Sequence, residues 1–112
     1  MDKMAVLRAI ADETRMNILS LLLRRSYCVR ALARKLNLSE ATISQHLKIL
    51  REAGLLAGEK RGYFMHYDVE RGALSGLARE IDALAAIKRE TCPHKCGEGS
   101  NQHAHCQCHK PE

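Results

Sequence analysis

Both prolines of this chain fall after residue 92, at Pro93 and Pro111. The first ninety or so residues therefore lack the residue that most reliably breaks a helix, and apolar side chains recur there at helical spacing. The partition goes further. Residues 91–112 hold four of the five cysteines and four of the six histidines, with Ala104 their one aliphatic side chain. Such a tail cannot bury a core of its own. The expected organisation is a helical body over residues 1–90 and a Cys/His-rich tail over 91–112. At 112 residues, with 46% hydrophobic and 28% charged side chains, the whole suits one folded domain.

Met4, Leu7 and Ile10 recur at helical spacing and predict a short first helix. Asp12 suits the cap of a second, which carries Ile18, Leu19, Leu22 and Leu23 on one face. Val29–Leu36 reads as a third, burying Val29, Leu32, Ala33 and Leu36. Asn37 and Leu38 form a tight connection. Ser39 caps a fourth helix running to about Ala53, with Gly54 as its stop. Beyond Gly54 the period shortens. Leu55–Glu59, a turn at Lys60-Arg61-Gly62 and an alternating Tyr63–Val69 read as a β-hairpin with a basic tip. A final helix from about Arg71 to Glu90 carries Leu74, Leu77, Ile81, Leu84 and Ile87 on one stripe. The fold class expected is mainly α with a hairpin wing: five helices in a winged helix-turn-helix.

Charge points to the partner. The chain carries a formal +5, and between Arg24 and Arg61 nine basic residues face three acidic ones. A concentrated basic zone on a small domain suits a polyanion, nucleic acid most simply. Two short helices joined by a tight turn, the second polar on its outer face, supply the geometry for a major groove. Ile43, Leu47 and Leu50 would anchor the second helix, leaving Ser39, Thr42, Ser44, Gln45, Lys48 and Arg51 for bases and phosphates. Gln suits paired hydrogen bonds to adenine. His46 borders the apolar face, where it can either pack or contact DNA. Lys60, Arg61 and Tyr63 at the hairpin would meet the backbone or the minor groove.

Three runs resemble the ArsR/SmtB family of bacterial winged-helix repressors: Ala11–Leu19, Leu32–Ser39 and Ile43–Leu55, the last containing Ser44-Gln45-His46-Leu47 and ending in Gly54-Leu55. Gly62-Tyr63 and His66-Tyr67 fit the same pattern, and the likeness spans about residues 4–90. It implies a homodimer, paired through its first and last helices, that sits on double-stranded operator DNA and leaves when an inducer binds. Inducers in the family are metal ions, metalloids or oxidants. One inducer site of the family uses a Cys-Val-Cys run at the start of the third helix; here Cys28 is followed by Val29 and Arg30, so the second thiol is missing. Another uses histidines of the last helix, and residues 71–90 contain none.

The tail remains. Cys92 and Cys96 are followed after nine residues by Cys106 and Cys108, with His94 and His105 interleaved and Cys28 a further potential ligand. Four thiols with flanking imidazoles suit soft or borderline ions, Zn, Cd, Pb or Cu, or trivalent arsenic or antimony. Disulfide or reactive-sulfur sensing by the same thiols is the alternative within this class, and a metal-buffering protein is the alternative outside it. No nucleophile–base set, phosphate loop or carboxylate pair marks an enzyme. With no apolar run long enough to span a bilayer and no signal-peptide pattern at the start, the expectation is a cytoplasmic protein without a membrane partner.

Overall fold

The computed structural model describes residues 2–90. Five helices and one hairpin follow in order: α1 (Lys3–Ile10), α2 (Glu13–Arg24), α3 (Val29–Leu36), α4 (Glu40–Glu52), β1 (Leu56–Arg61), β2 (Phe64–Val69) and α5 (Arg71–Ala85). The chain divides after Asp82 into two units. In the second, the described residues are the last turn of α5 and the stretch to Glu90.

Local chemistry sets the helix starts. Asp2 accepts from the Met4 and Ala5 N–H groups at 3.1 and 3.3 Å, Asp12 from Arg15 at 2.9 Å and Ser39 from Thr42 at 3.1 Å. Each satisfies donors that the first helical turn leaves unpaired. Helix α3 starts without such a cap, because Cys28 stands in that position and makes no side-chain bond there.

Helices α3 and α4 end alike. At α3, Asn37 takes a left-handed φ of 57° and Leu38 N–H reaches back to the Ala33 carbonyl at 2.9 Å. At α4, Gly54 takes φ 84° and Leu55 N–H reaches the Leu50 carbonyl at 2.9 Å. Both are Schellman closures. The second continues into the core, since Leu50 and Leu55 are completely buried.

That core gathers Val6 and Ala9 of α1, Ile18, Leu19 and Leu22 of α2, and Leu32 and Ala33 of α3. Ile43, Leu47 and Leu50 of α4, Leu55 and Leu56, and Ala73 and Leu77 of α5 complete it. No polar side chain is buried among the described residues. The strands pair antiparallel from Leu56 opposite Val69 to Arg61 opposite Phe64.

The structure settles one open point and changes two expectations. On α1 the inward pair is Val6 and Ala9, while Met4 and Leu7 are exposed; both stripes are apolar, and spacing alone does not say which one its own core takes. The hairpin loop is Gly62-Tyr63, because a two-residue loop wants a positive φ at its first position and Gly62 supplies it at 63°. Lys60 and Arg61 are therefore the last residues of β1. Finally, α5 stops at Ala85. Every side chain from Ala78 to Glu90 is exposed, and without packing to hold it a helix end frays. Its closing hydrogen bonds tighten to three-residue steps, Ala86 to Ala83 and Ile87 to Leu84.

Candidate nucleic-acid interface

The surface turns on α4. Its buried Ile43, Leu47 and Leu50 lock one side of the helix to the core, so the opposite side is presented in a fixed orientation. Ser44, Gln45, Lys48 and Arg51 are all exposed. Ser39 and Thr42 sit at its first turn, and their hydroxyls are already engaged with each other, Ser39 Oγ donating to Thr42 Oγ1 at 2.9 Å. Their immediate work is to start the helix, whose N-terminal dipole favours a nearby phosphate. The Arg51 stem runs toward the hairpin: a Cβ placed on Gly58 would come within 3.5 Å of Arg51 Cδ and 3.0 Å of Met65 Cε.

On the hairpin, Lys60 is exposed and Tyr63 almost entirely so, at 98%. Arg61 is exposed but engaged, its Nε 2.6 Å from Glu59 Oε1. The hydrogen bond and the charge of Glu59 raise the Arg61 pKa further above its ordinary value. An exposed pair of this kind contributes little to stability and yields readily to a phosphate.

Two further arginines belong to this surface, although the sequence marks them only as part of the basic segment. Arg30 and Arg34 line an open hollow at the α3–α4 corner together with Asn37 and Ser39. Arg30 lies 3.7 Å from Glu40, both exposed. Their place in the basic segment was visible; that one α3 face turns them to the same corner was not. Arg15, in the first turn of α2, has a role that its place in the sequence does not show. It ties three helices together, its Nε 2.6 Å from the Ala9 carbonyl and its NH1 3.3 Å from His46 Nδ1. His46 is half-buried in that contact.

Of the sensing residues, Cys28 is a free, half-buried thiol. It opens with Ser26, Tyr27, Phe64, Met65 and His66 onto a cavity of about 250 Å³ between the start of α3 and the hairpin. His66 Nδ1 is 3.2 Å from Ser26 Oγ. Among the described residues no three Cys, His, Asp or Glu side chains converge as metal ligands. Cys92, His94, Cys96, His105, Cys106 and Cys108 lie outside the described residues. No described helix is long and apolar enough to cross a membrane.

Residues 12–57 match the family described as "Bacterial regulatory protein, arsR family". The arsenical resistance operon repressor of Escherichia coli K12 is 38% identical over 84 residues, covering 74% of this chain and 72% of that protein. The Bacillus subtilis protein of the same name is 34% identical over 93 residues and 82% of each chain. Among solved structures, an ArsR-like transcriptional regulator from Rhodococcus sp. RHA1 superposes with a TM-score of 0.68 at 32% identity, over 75% of this chain and 79% of that one. An exposed polar helix face, a basic hairpin and these relatives converge on one assignment: the chain belongs to the ArsR family of DNA-binding transcriptional regulators, and it is not an enzyme.

Proposed function

We propose that the protein is a homodimeric repressor that holds operator DNA through α4 and the hairpin, and releases it when a soft metal or metalloid ion binds Cys and His residues of the tail. The observation that carries the reading is the joining of a DNA-facing helix-turn-helix to a tail with Cys92, Cys96, Cys106 and Cys108 in 22 residues, interleaved with His94 and His105. The names of the relatives point the same way, since two are arsenical resistance operon repressors. A reducing cytoplasm, the expected location of a protein that works on an operator, disfavours structural disulfides and leaves such thiols for metals.

Two apolar surfaces support the dimer. Met4 and Leu7 are exposed on α1, and Ile81 and Leu84 on α5. One protomer offers few base contacts, and two recognition helices on successive turns of the duplex multiply specificity. Ion binding orders and deprotonates its ligands, so its free energy is available to restructure the chain around them. A coupling of about 1–3 kcal/mol to operator affinity is enough for regulation.

The experiment is a titration of the operator complex, followed by fluorescence anisotropy at fixed salt, with Zn, Cd, Pb, Cu, As(III) and Sb(III) in turn. Release by at least one of these ions is expected. Replacement of Cys92 and Cys96 by Ser should abolish the response while leaving ion-free binding intact; an unchanged response in that variant overturns the tail assignment. Absence of any preference for operator over random duplex overturns the whole reading.

A thiol switch is the second reading, favoured by free Cys28 opening onto a cavity. Mass spectrometry of oxidised and reduced protein, with operator affinity measured on each, separates the two: disulfide formation that lowers affinity without metal supports the switch.

A further inference from the structure

Arg15 does more than start α2. Its guanidinium donates through Nε to the Ala9 carbonyl at 2.6 Å and through NH2 to the Arg8 carbonyl at 3.4 Å, both in the last turn of α1. The remaining nitrogen, NH1, lies 3.3 Å from His46 Nδ1 on α4. One rigid planar group thus joins α1, α2 and the helix that faces DNA.

The chemistry of this contact fixes the state of the histidine. A guanidinium has donors only and stays charged throughout the accessible pH range. Nδ1 must then accept, which requires a neutral imidazole with its proton on Nε2. Protonation places an N–H on both nitrogens, so two donors and two positive charges face each other and the bond is lost. The helical repeat sets His46 on the flank of α4 beside buried Ile43 and Leu50, on the side away from Ser44 and Lys48. Its place is at the joint between helices.

Other charged groups surround the joint. Asp12 of α2 accepts the Arg15 backbone N–H, which holds its carboxyl below the usual carboxylate value; burial partly opposes this, and the charge of Arg15 adds to it. Arg8 of α1 and Glu52 of α4 line the groove alongside, together with Arg15 itself.

We infer that Arg15 is a positioning residue for operator binding: through neutral His46 it braces α4 against the end of α1, and protonation of His46 releases the brace and weakens the grip on DNA.

Two measurements on the full-length protein test this. Nitrogen-15 spectra of the imidazoles at about pH 8 should show His46 with Nδ1 unprotonated and the proton on Nε2; the opposite tautomer overturns the inference. Operator affinity at fixed salt is then compared at about pH 8 and about pH 5.5 for the wild type, His46→Asn and Arg15→Met. In His46→Asn the introduced side-chain carbonyl would stand in for Nδ1 and accept at every pH, so this variant should lack the His46-dependent loss of affinity on acidification. Relative to it, the wild type should lose about fivefold or more on acidification. The other five histidines are common to both proteins and cancel in the ratio. Arg15→Met should bind weakly at both values, with the His46-dependent component of the profile gone. Parallel profiles for wild type and His46→Asn, or wild-type affinity in Arg15→Met at the higher pH, overturn the proposal. Should His46→Asn fail to fold by circular dichroism, the tautomer and the Arg15→Met profile decide alone.

Discussion

Helices α4 and α5 both carry apolar stripes, and the protein treats them in opposite ways. On α4 the stripe is Ile43, Leu47 and Leu50, none more than 2% exposed. On α5 only Ala73 and Leu77 are buried, while Ile81 and Leu84 are 50% and 69% exposed. The α4 stripe is used up within its own chain, and what remains for a partner is polar and basic. The α5 stripe is left over. Exposed apolar side chains of that kind suit a protein partner, so the proposed function gives the two helices chemically different partners, DNA for α4 and a second copy for α5.

The largest expected effect tests the first half of that contrast. Leu47→Ala should destabilise the fold by about 2–5 kcal/mol, through lost burial and the cavity it leaves; urea unfolding measures this. A cost near zero would mean that α4 is not anchored as described. Leu84→Asp should instead leave the unfolding of the protomer nearly unchanged while shifting the mass in sedimentation from dimer to monomer. Operator affinity should fall about tenfold or more, at least roughly 1.4 kcal/mol. Unchanged mass would remove the second-copy partner from the comparison.

Gln45→Ala touches the exposed face of α4 and should cost about 1–3 kcal/mol of operator affinity, concentrated at one base pair of each half-site. Equal weakening on every sequence would make Gln45 a phosphate contact. The smallest effect lies outside both stripes, at the α1–α2 joint. Because the Asp12 carboxyl is held below its usual value, its stabilisation is present above the unfolded value of about 3.9 and is lost as pH falls through the lower folded one. Asp12→Asn should therefore be less stable than the wild type at neutral pH, with the difference fading in strong acid; denaturant melts at the two extremes check it.

What the sequence disclosed follows from the range of the forces involved. Ser39 and Gly54 bracket α4 in both the reading and the structure, because caps and left-handed closures are decided by a few neighbouring residues. Asp12 was legible for the same reason. Which face of α1 turns inward was not: Met4 and Leu7 compete with Val6 and Ala9, and the outcome depends on α2 and α4 packing against it. The hairpin loop was misplaced by about two residues, since the basic pair Lys60-Arg61 looks like a tip until the positive φ of Gly62 sets the register. Arg15 was the least visible. Its partners, Ala9 and His46, are six and thirty-one residues away, on two other helices.

Leu55 leaves no slack between α4 and the hairpin. Its N–H is tied back to Leu50 and its carbonyl takes the Glu70 N–H at 2.8 Å, while its side chain is sealed from solvent. In the proposed repressor this joint would fix the spacing between α4 and the hairpin, and with it the span of base pairs that one protomer reads. Any tolerance for operators of unequal spacing would then come from the seam of the proposed dimer.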